Sequence, residues 1–361
     1  MNMTMNPYLA GLDLVRRMLG GARRCALILL GLAASGLTAW GALALGYLLQ
    51  DHPAWRWAVV PAWTVLGFVA AVQLLRSRSR GTGAVPVVLY ACAVLALLAA
   101  WSLQRPSHQR LWADDVARLL RAQVHGNRVE LENVRNFDWR SETDYTPRWE
   151  RRSYDLDRLT GADLILSYWM GPQIAHTLVS FEFDDGQRVV FSLEIRKERH
   201  ESFSAIGGFF RQFEQVLVAA DERDIVRTRS NARGEDVYLY RMQADPSQLR
   251  QLFLNYVEAA NDIERSPRFY NTLTSNCTTI VFDLARLIAP GLPADYRLLL
   301  SGHFAEYVYD QKALTPGYSY QELQQAGHIN ARAKQADASG QDFSLTIREG
   351  VPGALARKAQ P

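Results

Sequence analysis

Residues 175–195 read AHTLVSFEFDDGQRVVFSLEI. Before the DDG, Thr177, Val179, Phe181 and Phe183 alternate with His176, Leu178, Ser180 and Glu182; after it, Val189, Phe191, Leu193 and Ile195 alternate with Arg188, Val190, Ser192 and Glu194. A period of two marks a strand, so the segment reads as two strands joined by a turn. One set of positions is apolar and the other mostly polar, and residues paired across a hairpin share a face. A two-residue Asp-Gly loop would pair Phe183 with Arg188 and mix the faces. A three-residue loop, Asp184-Asp185-Gly186, keeps them apart and puts a glycine where such loops need a left-handed residue. In that register His176 stands opposite Glu194. An imidazole facing a carboxylate is how a general base is held in one tautomer. A polar pair on a solvated face accounts for the same residues.

Outward from the hairpin, DLILSYW (163–169) reads as a further strand, and strands are expected at Gln215–Ala219, Asp224–Thr228 and Asp236–Met242. Pro246–Glu264 carries Leu249, Leu252, Phe253, Tyr256, Val257, Ala260 and Ile263 at the spacing of one buried helical face. Cys277–Ala289 repeats that pattern and stops at Pro290-Gly291. Residues 107–125 read as an amphipathic connecting helix, assigned to 105–126. The stretch 127–154 is polar, aromatic and without clear period, and 321–361 reads as a peripheral helix and polar tail. The fold class expected is α+β, an antiparallel sheet packed by helices over 127–320.

Toward the N-terminus the character changes. Uncharged runs fill 25–50, 57–75 and 81–104, each long enough for a helix to cross a bilayer. Transmembrane helices are expected at about 25–49, 57–75 and 84–103. Three buried helices of a water-soluble protein would need the same residues, but successive uncharged runs edged by arginine favour a membrane. Eight arginines and two acids lie in 1–104. Arg16, Arg17, Arg23 and Arg24 precede the first run, and Arg76, Arg78 and Arg80 follow the second. The positive-inside rule then puts the N-terminus and the second loop in the cytoplasm and 105–361 outside it, as in a bacterial inner-membrane protein with a periplasmic domain. That outer part holds 32 basic and 35 acidic residues, a balance that gives no support for nucleic-acid binding.

Of three cysteines, Cys25 and Cys92 fall in the apolar runs and Cys277 is alone in the outer part. An oxidising compartment makes a lone thiol a hazard unless it is buried or used. Cys277 follows TSN and opens a helix with Ser275 or Asn276 as cap; unpaired N–H groups there favour a thiolate and can stabilise an oxyanion. A buried structural thiol fits equally well. The histidines are dispersed, so no metal site is expected, and no phosphate-binding loop or nucleophile-elbow serine is present, so no cofactor is expected. Asp221, Glu222, Arg223, Asp224, Arg227 and Arg229 read as a solvated or ion-paired patch, or one holding a polar head group if close to the site.

A histidine strand, a polar residue on the next strand and a cysteine opening a later helix resemble the circularly permuted, NlpC-like papain-fold enzymes, which include lecithin:retinol acyltransferase. NVRNFDWRSETDYTPRWERR (133–152), SYWMGPQIAHTLVSFEFDDGQRVVFSLEIRKER (167–199), GGFFRQFEQVLVAADERD (207–224), DVYLYR (236–241), FYNTLTSNCTT (269–279) and DFSLTIREGVP (342–352) are similar, in matching order, to the periplasmic domain family named after the N-terminal part of Lnb, a lipoprotein N-acyltransferase. The resemblance implies Cys277 as nucleophile, His176 as base and Glu194 as third member. It implies a membrane-anchored acyltransferase acting on phospholipid or lipoprotein through a thioester. A cysteine peptidase or amidase, or a non-catalytic envelope scaffold, stands as the alternative.

Overall fold

The hairpin forms in the expected register. Glu182 pairs with Arg188 and Val179 with Phe191. The Phe183 N–H donates to the Gln187 carbonyl at 3.0 Å, closing a three-residue loop with Gly186 at φ 84°. The computed structural model describes residues 7–76 and 84–354. It divides after Arg105 into two compact units.

In the first unit, helices α1 (Pro7–Leu48), α2 (Pro53–Arg76) and α3 (Ala84–Leu103) hold the three apolar runs. Each is long and apolar enough to cross a membrane, with mean hydropathy 1.8, 2.0 and 2.3 over the candidate spans. Helix α1 begins well before residue 25, so its arginine-bearing start continues the same helix. Small residues let the helices touch: Gly41 lies against the Trp63 ring and Gly67 against Thr38. The Trp63 indole donates to the Thr38 carbonyl at 2.9 Å, and the Thr38 and Tyr90 hydroxyls meet at 2.9 Å. Arg78 and Arg80 of the second loop lie outside the described residues.

The second unit is built on β1 (Arg121–His125), β2 (Arg128–Arg135), β5 (Trp149–Asp155), β6 (Leu159–Tyr168), β7 (Ala175–Phe183), β8 (Arg188–Arg196), β9 (Glu214–Ala220) and β10 (Asp236–Arg241). Their order is β1-β2-β9-β8-β7-β6-β10, with β5 also on β2. A short ribbon, β3 (Asp138–Trp139) with β4 (Tyr145–Thr146), stands apart. Neighbours are antiparallel except β2 with β9.

Both faces of the sheet are covered. The face of Val179, Phe181, Phe191 and Leu193 packs on Leu252, Phe253 and Tyr256 of α5 (Pro246–Arg265), on Val281 and Phe282 of α6 (Cys277–Arg286), and on α7 (Phe304–Asp310) and α8 (Tyr320–Gly327). The His176 face, expected to be mostly polar, is covered as well. Leu178 and Val190 are fully buried against Ile225 and Val226 of α4 (Glu222–Arg227), Ile329 beside α9 (Asn330–Ser339), and Phe343 and Ile347 around α10 (Phe343–Thr346).

Four expectations change here. The connecting helix over 105–126 does not form: Ala113 donates to the Lys197 carbonyl and Arg199 to that of Leu111, so extended backbone pairs beyond β8. Only Asp114–Val116 makes a 3-10 turn, and Arg121 already begins β1. Tertiary pairing overrides the helical period. The stretch 127–154 contains β2 to β5; its alternation is broken by a bulge at Asn133, φ 66°, between Glu132 and Val134. Asp224–Thr228 is helix rather than strand, because Asp221 caps the Arg223 N–H and acids fill the first turn. The 321–361 segment is no peripheral tail through residue 354. Arg348 is fully buried, paired with Asp163 at 2.7 Å and with Glu222 at 2.5 Å.

Candidate functional site

The β7–β8 ladder ends at Val179 and Phe191. Toward the other end the two strands part, while β7 stays paired to β6 (Ser167 with His176) and β8 to β9 (Glu194 with Val216). The start of α6 enters that gap. Asn276 caps it, its side-chain oxygen accepting the Thr278 and Thr279 N–H groups at 2.9 Å each. Ser275, the other cap candidate, instead meets Gln215 of β9. The splaying explains how a cysteine on a helix over one face reaches a histidine whose side chain belongs to the other.

Cys277 is 8% exposed. Its sulfur lies beside the His176 ring and the Thr177 N–H, close enough that both act on its titration. Beside it the Thr177 and Thr278 hydroxyls are 2.9 Å apart. The His176 Nε2 lies 2.6 Å from Ser192 Oγ and 3.1 Å from Glu194 Oε1, and Ser192 donates to the same carboxylate oxygen at 2.8 Å. With Nε2 committed to these oxygens, Nδ1 is the nitrogen left for the thiol.

Charge is concentrated in little solvent. Burial opposes ionising Cys277, yet the charge and hydrogen bond of His176 and the Thr177 N–H bring the thiol below its usual range. Burial and Arg229 oppose protonating His176, but Glu194 and Cys277 outweigh them and push it up to about 9. Burial would raise Glu194; His176 and Arg229 hold it well below the usual carboxylate range. These influences favour a thiolate beside an imidazolium, with an ionised carboxylate behind the ring.

Three sequence-derived residues thus meet: Cys277, His176 and Glu194. Three others join them to which the sequence gives no role in the pair: Ser192, Tyr270 and Arg229. Ser192 shares the ring with Glu194 and is a plain even-position strand residue. Tyr270, whose titration burial and Cys277 push upward, lies beside the start of α6 and the Cys277 N–H, the group expected to face an oxyanion; only its place in FYNTLTSNC points to it. Arg229 donates to Glu194 at 2.9 Å. The rest of its patch is ion-paired and structural: Asp224 with Arg135, Glu222 with Arg348, Asp221 with Arg152, Arg227 with Asp337. Among the described residues no group of three or more His, Cys, Asp or Glu could hold a metal ion.

The surrounding loops expose apolar side chains. Trp169 and Met170 follow β6, and Phe203, Ile206 and Phe209 lie on the loop before β9; Leu273 is four residues before the cysteine, and all six are 39–55% exposed. These loops touch. The Trp169 and Phe203 rings are 4.8 Å apart edge to face, Thr272 donates to the Ala205 carbonyl at 2.9 Å, and Gly208 lies against Thr272 and Tyr270. Next to Trp169 opens a cavity of about 700 Å³ lined by Tyr168, Tyr238, Tyr320, Glu235 and His303.

Residues 145–302 match the family model of the Lnb N-terminal periplasmic domain. No curated protein and no solved structure matches the chain. The match spans His176, Glu194, Arg229, Tyr270 and Cys277. With the three apolar helices before it, this makes the chain a membrane-anchored protein with a periplasmic domain.

Proposed function

We propose that this protein is a periplasmic thiol acyltransferase of the bacterial inner membrane, N-terminus in the cytoplasm, related in fold to the permuted papain-like enzymes. The observation that carries the reading is the buried Cys277 thiol set beside the His176 ring, with Glu194 and Ser192 on the far side of the ring. The orientation rests on the flanking arginines. The exposed apolar residues around the loops next to Cys277 support an acyl substrate, from phospholipid or lipoprotein, over a polar peptide.

The chemistry follows from the side chains. The Cys277 thiolate adds to an ester carbonyl, and the charge that develops on oxygen is met by the Cys277 N–H and the Tyr270 hydroxyl. Imidazolium Nδ1 of His176 gives its proton to the departing alkoxide as the C–O bond breaks, leaving a thioester on Cys277 and a neutral ring. An amine or water then attacks the thioester carbonyl while His176 takes its proton, and the thiolate leaves. Glu194 and Ser192 keep the ring in one orientation throughout. The same pair would serve a peptidase or amidase; the apolar rim is what favours the acyl reading.

Lipid and lipoprotein mass spectrometry of cells carrying wild-type or Cys277→Ala protein tests this. The proposal expects an acylated product that disappears, with its donor accumulating, in the variant. Identical profiles would count against it.

A further inference from the structure

Arg229 belongs by sequence to the Asp221–Arg229 patch, but its partners lie in the site. Helix α4 does not end normally after Arg227. It runs into a π-turn over Thr228–Ala232, with the Arg233 N–H donating to the Thr228 carbonyl at 2.8 Å. A π-turn widens the helix by one residue and redirects its side chains. Here the Arg229 guanidinium, 6% exposed, reaches Glu194 Oε1 at 2.9 Å and Glu235 Oε2 at 3.3 Å. Glu235 is in turn hydrogen-bonded by Ser167, and Ser167 is the β6 partner of His176. The contacts form a closed ring: His176, Glu194, Arg229, Glu235, Ser167 and back to His176 through the strand pair.

We propose that Arg229 is a positioning residue which, by tying Glu194 to Glu235 and hence to β6, holds the Glu194 carboxylate on the His176 ring. This rests on the thiol reading given above. Glu194 Oε1 takes three donors, from His176, Ser192 and Arg229, and only Arg229 is a permanent cation that anchors it from outside the hairpin. Without that anchor a carboxylate in so little solvent would turn away or be neutralised. The groups facing His176 are Cys277 from α6, Glu194 and Ser192 from β8, Arg229 from the π-turn, and Glu235 ahead of β10; Arg135 acts on Glu194 from β2. Arg229 opposes protonation of the ring, whereas Glu194 and Glu235 favour it.

The test is the pH dependence of Cys277 carboxymethylation by iodoacetate, on full-length protein in detergent. An anionic reagent reacts faster beside an imidazolium, so its rate falls as His176 loses its proton. Arg229→Gln should move that alkaline limb downward by about one unit, because a Glu194 released from the ring no longer supports the imidazolium, and lower the maximum rate several-fold. Arg229→Lys should recover part of the rate, keeping the charge but not the two-pronged geometry. Glu235→Gln should move the limb downward as well, and Arg229→Lys, which should shift it part of the way, carries the test alone if Arg229→Gln does not fold. A limb that stays at the wild-type position in both Arg229 variants, or that moves upward in Arg229→Gln as loss of the cation alone would have it, would overturn the positioning role while leaving the thiol reading intact. A wild-type protein without a reactive thiolate would overturn the thiol reading and this proposal with it.

Discussion

The hydroxyls of Thr177 and Thr278 lie 2.9 Å apart, each one residue beyond a member of the candidate pair. Thr278 is fully buried and Thr177 nearly so. The bond therefore fixes the start of α6 against β7 where His176 and Cys277 must meet. Thr278→Val should leave the Thr177 hydroxyl unpaired and lower stability by about 1–3 kcal/mol. The double variant with Thr177→Val should lose less than the two single changes together. Chemical denaturation of the three variants checks this; simple additivity would mean that the pair makes no coupling.

Cys277 should be alkylated at neutral pH faster than an unperturbed thiol, because His176 and the Thr177 N–H bring its titration down. In His176→Ala only burial and the Thr177 bond remain of these influences. The thiol should titrate higher and the rate at pH 7 fall at least about tenfold. The raised His176 titration sets the other limit. Its contribution to stability is complete below the ordinary histidine range and is lost as pH rises through about 9. Glu194→Gln should bring that limit down. Rates against pH for the three proteins decide it.

Arg348 is expected to be indispensable to the periplasmic unit. Its guanidinium is enclosed with Asp163 and Glu222, and Arg241 reaches Asp163 at 2.9 Å. Arg348→Ala leaves Glu222 without its buried cation and should cost about 3–5 kcal/mol. Deleting 343–354 should go further, because Phe343, Ile347 and Val351 leave the second core open. Limited proteolysis and thermal unfolding would report the loss; a variant as stable as wild type would contradict it.

The apolar rim predicts a substrate-dependent effect. Phe203→Ser with Ile206→Ser removes two half-exposed apolar groups without touching the Cys277–His176 contact. Turnover of a vesicle-embedded ester should fall several-fold, with a rise in KM, while carboxymethylation of Cys277 stays at the wild-type rate. Equal loss in both assays would mean that the rim supports the fold instead.

How far these features are legible in the sequence depends on the range of the interactions. Alternation around Asp184–Gly186 decides the hairpin register, and the position of Cys277 after Ser275-Asn276 marks a helix start, because both are local. That register puts Glu194 opposite His176, and the ring also touches Ser192, the preceding residue on the same face. What the sequence hides is distant. Arg229 becomes part of the site through a π-turn that no apolar pattern announces. Arg348 meets Asp163 across 185 positions, so its polar surroundings look like a tail until the sheet is assembled. The bulge at Asn133 removes the alternation by which β2 would have been found.

The central claim is that Cys277 carries the acyl group. Full-length protein incubated with vesicles of bacterial phospholipid and quenched in acid should show, by intact mass spectrometry, a fatty-acyl adduct on Cys277 that hydroxylamine removes. Cys277→Ala and His176→Ala should show none. A folded wild-type protein with no adduct under these conditions, or an adduct that survives in Cys277→Ala, would contradict the account.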